Sequence, residues 1–235
     1  VKGELYWPVA PTNPDIHPFW TPEFFGDVMT VNGKSWPYLS VAPRKYRFRM
    51  LDGCNARFLN MWLEVLAAGG KKTYGPAINV IGSDGAFLDV PVTLNPAAGQ
   101  TLFMAPGERY DVVIDFTNVA PGTAITLMNN APAPYPTGIP VTPGLTDRIM
   151  QFVVNGTLPS ADNSLLPANL RLTPMVKLTN FAGGLTAGVT PALKRQIILN
   201  EVASAGGPVQ VLFNNSHFDG VTVIPGAPLE FGGPT

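Results

Sequence analysis

A chain of 235 residues has ample material for a core, and 46% of it is hydrophobic against only 13% charged. A formal net charge of −1, with no basic run longer than two residues, excludes the electrostatic footprint of nucleic-acid binding. No apolar stretch approaches the roughly 18–20 residues of a membrane span, and 24 glycines with 25 prolines disfavour long helices and suit short strands joined by turns.

The opening "VKGELYWPVAP" has neither an initiator methionine nor the apolar run of a signal peptide, and reads as a cut made inside a longer protein. Residues 1–27 are expected to form an extended arm. Pro8, Pro11, Pro14, Pro18 and Pro22 interrupt any ladder, and Trp7, Phe19, Trp20, Phe24 and Phe25 would tuck against a neighbouring surface. "DVMTVNGKSWPYL" predicts two short strands around an Asn32-Gly33 hairpin turn. "RKYRFRMLD" alternates, with Tyr46, Phe48 and Met50 on one face and Lys45, Arg47, Arg49 and Leu51 on the other.

"RFLNMWLEV" predicts the next strand, and "AINVIGSDGAFLDVPVTLNP" a pair joined by the turn Ser83-Asp84-Gly85. "GQTLFMAPGERYDVVIDFTN" supplies two more, hinged at Pro106-Gly107. Tyr110, Val112, Ile114 and Phe116 share the core face of the second, and Arg109, Asp111, Val113 and Asp115 the other. "TAITLMNN" and "DRIMQFVVN" complete a series whose regular turn punctuation indicates an all-β sandwich or closed barrel over residues 28–158. From 159 to 195 the pattern lapses into an irregular connector with one short helix near 162–171. Residues 196–235 resume it as a hairpin turning at Gly206-Gly207, too short for a sandwich of its own.

Five phrases in order then resemble one family. "FFGDVMTVNGKSWPYLSVAPRKYRFRMLDGCNARFLNMWLE", "INVIGSDGAFLD", "MAPGERYDVVIDF" and "IMQFVV" resemble successive blocks of the middle cupredoxin domain of three-domain multicopper oxidases, of the spore-coat laccase and bilirubin oxidase type. "RQIILNEV…GGPVQVLFNNSHFDG" resembles the entry into the third domain, whereas the terminal "VIPGAPLEFGGPT" departs from the family. The resemblance implies a Greek-key, cupredoxin-like fold for residues 28–158 and an extracytoplasmic parent that oxidises phenols or pigments and reduces dioxygen to water. Its partners would be the flanking first and third cupredoxin domains, and self-association through exposed docking faces is expected.

That family takes its copper ligands from His-x-His and His-Cys-His motifs, which this chain lacks. A type 1 copper needs two imidazoles and a thiolate. The chain has two isolated histidines, His17 and His217, and one cysteine, Cys54, which also excludes an internal disulfide. The expectation is therefore no catalytic, cofactor-binding or metal-binding residue, with copper belonging to the intact parent.

Each remaining candidate has two readings. His217 is a wall of the donor pocket or a weak metal ligand, against an exposed turn histidine, and His17 is read as ordinary. Cys54 is a reactive thiolate near Arg49 or Arg57, against a buried small hydrophobe. Asp84, Asp89, Glu108, Asp111 and Asp115 suggest paired-carboxylate chemistry, against ion pairs and turn bonds among Arg47, Arg49 and Arg109; Glu108 and Arg109 are read as pairing locally, and the charges as satisfying a sheet edge. Met50, Met61 and Met104 evoke copper ligation, against core filling. Two alternative functions stay open. One is a copper-free cupredoxin interaction protein. The other is a carbohydrate-binding sandwich, which an exposed row of Trp7, Trp20, Trp36 and Trp62 would favour.

Overall fold

The computed structural model describes residues 23–66, 70–156, 161–180, 182–193, 195–204, 207–218 and 223–225. The chain divides into two units, Glu23–Val176 and a second to which the residues from Lys177 onward belong. The arm expected over residues 1–27 lies almost wholly outside the described residues, as do His17, Trp7 and Trp20.

The first unit is the sandwich anticipated from the alternation. A short hairpin comes first, β1 (Thr30–Val31) and β2 (Lys34–Ser35). Asn32 and Gly33 turn it with φ of 49° and 78°, the left-handed pair that a two-residue hairpin loop demands. One sheet has the order β4 (Lys45–Leu51), β10 (Arg109–Asp115), β7 (Ile78–Ser83), β8 (Ala86–Leu94). The other runs β3 (Tyr38–Val41), β12 (Arg148–Val154), β11 (Ala124–Asn129), β5 (Leu59–Leu66), β6 (Lys72–Tyr74), with β9 (Leu102–Met104) also on β5. All pairings are antiparallel except β12 with β3. A 3-10 turn, Pro96–Ala98, connects β8 to β9 and is capped by the Asn95 side chain.

The inward residues of both sheets meet in one core, which includes Leu63, Val112, Phe116, Ile125 and Val154, all fully buried. Phe116 and Phe152 pack at 5.3 Å, and Tyr46 meets Phe116 edge-on at 5.9 Å. Edge strand β8 carries Pro91, which has no amide hydrogen to offer a further strand.

The connector corrects one expectation: no helix forms near 162–171. Pro167 interrupts that run, and amide hydrogens at its end are used elsewhere. Leu170 N–H donates to the Asp89 carbonyl (2.9 Å) rather than to a helical partner.

In the second unit, β13 (Leu199–Ser204), β14 (Gly207–Phe213), β15 (Ser216–Phe218) and β16 (Val223–Pro225) form an antiparallel sheet. Asn214 and Asn215, with φ of 50° and 58°, turn the chain between β14 and β15. His217, read as a turn residue, instead lies within β15 in register with Ile224.

Candidate functional site

The charged motif of residues 105–115 is the densest candidate, and its backbone explains where each charge goes. At the turn, Glu108 N–H donates to the Ala105 carbonyl (3.1 Å), and Glu108 Oε2 accepts Ala105 N–H (2.7 Å). The same turn is tied to the loop after β4: Gly107 N–H donates to the Asp52 carbonyl (2.8 Å) and Asp52 N–H to the Glu108 carbonyl (3.1 Å). Arg109 reaches across to the β7–β8 turn, with its Nε 3.0 Å from Asp84 Oδ1 and its amide donating to the same oxygen at 2.9 Å. Glu108 and Arg109 therefore do not pair with each other. The first closes a turn, while the second begins a strand and takes its partner from another hairpin.

Nor do these charges satisfy a sheet edge, because β10 is an interior strand between β4 and β7. Its outward carboxylates pair across the ladder, Asp115 with Lys45 at 3.4 Å and Asp111 with both ends of the Arg47 guanidinium. Arg47 also stacks over the Phe87 ring at 5.3 Å. Burial pushes the Asp115 carboxyl up, but hydrogen bonds from Thr117 and the nearby Lys45 ammonium outweigh it and leave the group below its ordinary range. Gly82 makes room for this arrangement. A Cβ there would lie 3.0 Å from the Ala86 carbonyl oxygen and 3.3 Å from Asp111 Cβ.

Asp89 accepts the Met175 amide at 2.8 Å and lies 3.8 Å from Arg171. Four of the five carboxylates thus have a basic partner, and the fifth caps a backbone amide. Such an arrangement stabilises turns and ladders; it does not poise one acid against one base.

The loop "LDGCNAR" builds a second cluster that composition alone does not disclose. Asp52 is 2% exposed. Its Oδ1 accepts Cys54 N–H (3.0 Å), whereas Oδ2 is buried without a hydrogen-bond partner. Burial raises the Asp52 carboxyl above its usual range; the Cys54 bonds pull the other way, and Glu108 adds to the rise. Arg57, 8% exposed, donates from Nη2 to the Gly26 carbonyl (2.8 Å) and lies 6.0 Å from the Phe25 ring.

Half-buried Cys54 sits beside that carboxylate. Burial, then the Asp52 bond and charge, push its thiol up to about 12, and Arg57 only partly opposes them. The thiolate reading fails for that reason. A raised thiol pKa favours the folded chain while the group stays neutral, and that contribution is lost as pH climbs from the ordinary thiol range toward 12. Alkylation of Cys54 by iodoacetamide at pH 8 is expected to run at least about a hundredfold slower than that of a free cysteine. Its rate should still be rising above pH 10, and a plateau near pH 9 would show an unperturbed thiol.

Met61 and Met104 are 1% exposed in the core and Met50 packs against it, as side chains that fill space do. Trp36 and Trp62 are half-buried rather than exposed, with Trp36 Nε1–H donating to the Leu145 carbonyl at 2.8 Å. A third polar centre, Asn129, escapes any reading of the pattern. It is 1% exposed; its Oδ1 accepts the amides of Asn60 (2.9 Å) and Ala131 (3.2 Å), and its Nδ2 donates to the Thr146 carbonyl (3.0 Å). Among the described residues no three His, Cys, Asp or Glu side chains gather as a metal-holding group.

Known proteins place this architecture. No family model matches the chain. Over 226 residues, 94% of this chain, it is 34% identical to multicopper oxidase LPR1 homolog 3 of Oryza sativa subsp. japonica. Over 203 residues, 84% of the chain, it is 37% identical to a laccase of Bacillus subtilis. This chain is homologous to a segment of the multicopper oxidases. Among solved structures, the McoA multicopper oxidase of Aquifex aeolicus superposes on 78% of the chain with a TM-score of 0.54 and 27% identity. The chain spans 39%, 36% and 35% of these three multicopper oxidases, respectively. The sandwich with its satisfied charges is thus a cupredoxin-like domain.

Proposed function

We propose that this chain is the copper-free second domain of a laccase-like multicopper oxidase, together with the opening strands of the third. The observation that carries this reading is the alignment of nearly the whole chain with less than two fifths of the oxidases it resembles. The donor set supports it. Cys54 is held as a protonated thiol against Asp52. A thiol held protonated does not fit a type 1 copper, which needs a thiolate beside two imidazoles. No redox step is assigned to this chain.

Its role is then mechanical. A sandwich whose outer charges are paired and whose turns are tied by Asp52, Glu108 and Asn129 is a rigid spacer. It holds flanking domains at the separation and angle that their shared copper site requires, where a displacement of about 1 Å would spoil the geometry. Exposed apolar side chains on the sandwich, among them Tyr38 (74% exposed), Leu51 (64%) and Leu66 (65%), supply docking area for those domains. The parent would be extracytoplasmic and act on phenolic or pigment substrates.

The test is the reading frame around this segment and the activity of its full product. The proposal predicts His-x-His motifs on both sides and oxygen uptake with a phenol. A full product without those motifs would favour a copper-free interaction protein and sink the oxidase reading.

A further inference from the structure

The outer face of the β4-β10-β7-β8 sheet is covered in part by residues 161–176, a strap pinned by two carboxylates. Near one end Asp162 accepts the Lys45 amide through Oδ2 (2.8 Å) and the Ser164 amide through Oδ1 (3.0 Å). Near the other, Asp89 on β8 accepts the Met175 amide through its side chain (2.8 Å) and the Leu170 amide through its carbonyl (2.9 Å). Between these pins the strap stands off the sheet and leaves a cavity of about 450 Å³. That volume is in the range of roughly 300–1,000 Å³ that small organic ligands occupy.

The lining has two chemistries. Ile81, Phe87 and Val113 form an apolar floor, and Leu166, Pro167 and Leu170 face them from the strap. Ile81 is only 6% exposed yet lies outside the sandwich core, so it belongs to this cavity's wall rather than to the interior. Every charged residue in the lining is a cation: Arg44, Lys45 and Arg47. Lys45 and Arg47 are committed to Asp115 and Asp111. Arg44 stands exposed and makes no ion pair among the described residues, although the Lys45 and Ser164 hydrogen bonds, joined by its charge, hold the Asp162 carboxyl below its ordinary range.

We propose that this cavity binds a small aromatic anion, its ring against Ile81, Val113 and Phe87 and its acid group on Arg44. An apolar floor rewards a flat hydrophobic body. The Arg44 guanidinium, exposed at the mouth and held in no ion pair among the described residues, favours a carboxylate or sulfonate over a neutral or cationic analogue. The assignment is independent of the copper-free domain reading, because every lining residue lies within the sandwich unit.

The whole chain is titrated with naphthalene-2-sulfonate while backbone amide shifts are followed by NMR. Saturable one-to-one binding is expected, with the largest shifts at Ile81, Val113 and residues 164–170. Neutral naphthalen-2-ylmethanol should bind at least about tenfold more weakly, and Arg44→Glu should lose at least about tenfold in affinity for the sulfonate. Arg44 is held by its backbone, its amide donating to the Ala42 carbonyl (2.8 Å) and its carbonyl accepting Phe116 N–H (3.1 Å), so the variant keeps its fold. Leu166→Trp, which fills the cavity from the strap side, should abolish binding while leaving amide shifts in the opposite sheet unchanged. Shifts confined to other surfaces, equal affinity for the neutral probe, or unaltered binding by Arg44→Glu would each overturn the proposal.

Discussion

Replacing Phe116 with alanine is expected to destabilise the folded sandwich by about 3–5 kcal/mol, the largest loss of any single truncation among the described residues. The ring is fully buried, packs on Phe152 at 5.3 Å and Tyr46 at 5.9 Å, and lies where the two sheets meet. Its backbone amide donates to the Arg44 carbonyl, a bond that alanine keeps, so the loss reports side-chain packing alone. By contrast, removing the exposed Arg47 side chain from Asp111 should cost no more than about 1 kcal/mol. Urea unfolding of both variants decides the ranking. An Arg47 effect equal to that of Phe116 would mean that the outer charges, and not the core, hold the sheets together.

A second large loss, about 2–4 kcal/mol, is expected for Asn129→Ala. Three bonds converge on this buried amide, and alanine would strand the amides of Asn60 and Ala131 and the carbonyl of Thr146. Stranded buried groups bear their desolvation cost with nothing to offset it, which is why one deleted polar side chain rivals a deleted ring. Hydrogen exchange should speed up at Ala131 and Asn60 before global unfolding. Unchanged protection there, with a loss under about 1 kcal/mol, would show that water replaces the side chain at little cost.

The sandwich was readable from sequence because its signal is local. Strict alternation in Lys45–Leu51 and Arg109–Asp115 sends every second residue inward, and the structure buries Val112 and Ile114 accordingly. The polar anchors were not readable. Asp52, Arg57 and Asn129 stand at strand ends, where such residues ordinarily face water, and their burial arises only when distant loops close over them. The separation of bonded partners, 69 residues for Asn129 with Asn60 and 31 for Arg57 with Gly26, makes that closure invisible to any short window. The short helix expected near 162–171 does not form for a related reason: Leu166 and Leu170 line a cavity against a sheet, and the backbone is held by Asp162 and Asp89.

The motif at 105–116 shows the same division. Its strand pattern specifies which residues face the core, while its charges acquire meaning only through Asp84, Lys45 and Arg47, which come from two other strands and a turn. Once those partners are in place, each carboxylate of the motif has a structural partner, which accords with the proposed copper-free domain.

Copper titration tests that conclusion most directly. The chain, titrated calorimetrically with Cu(II) and with Cu(I) and assayed beside it for oxygen uptake with a phenol, should show no stoichiometric tight site and no turnover above free copper. Tight binding of one or more coppers per chain, accompanied by phenol oxidation, would contradict a copper-free structural domain.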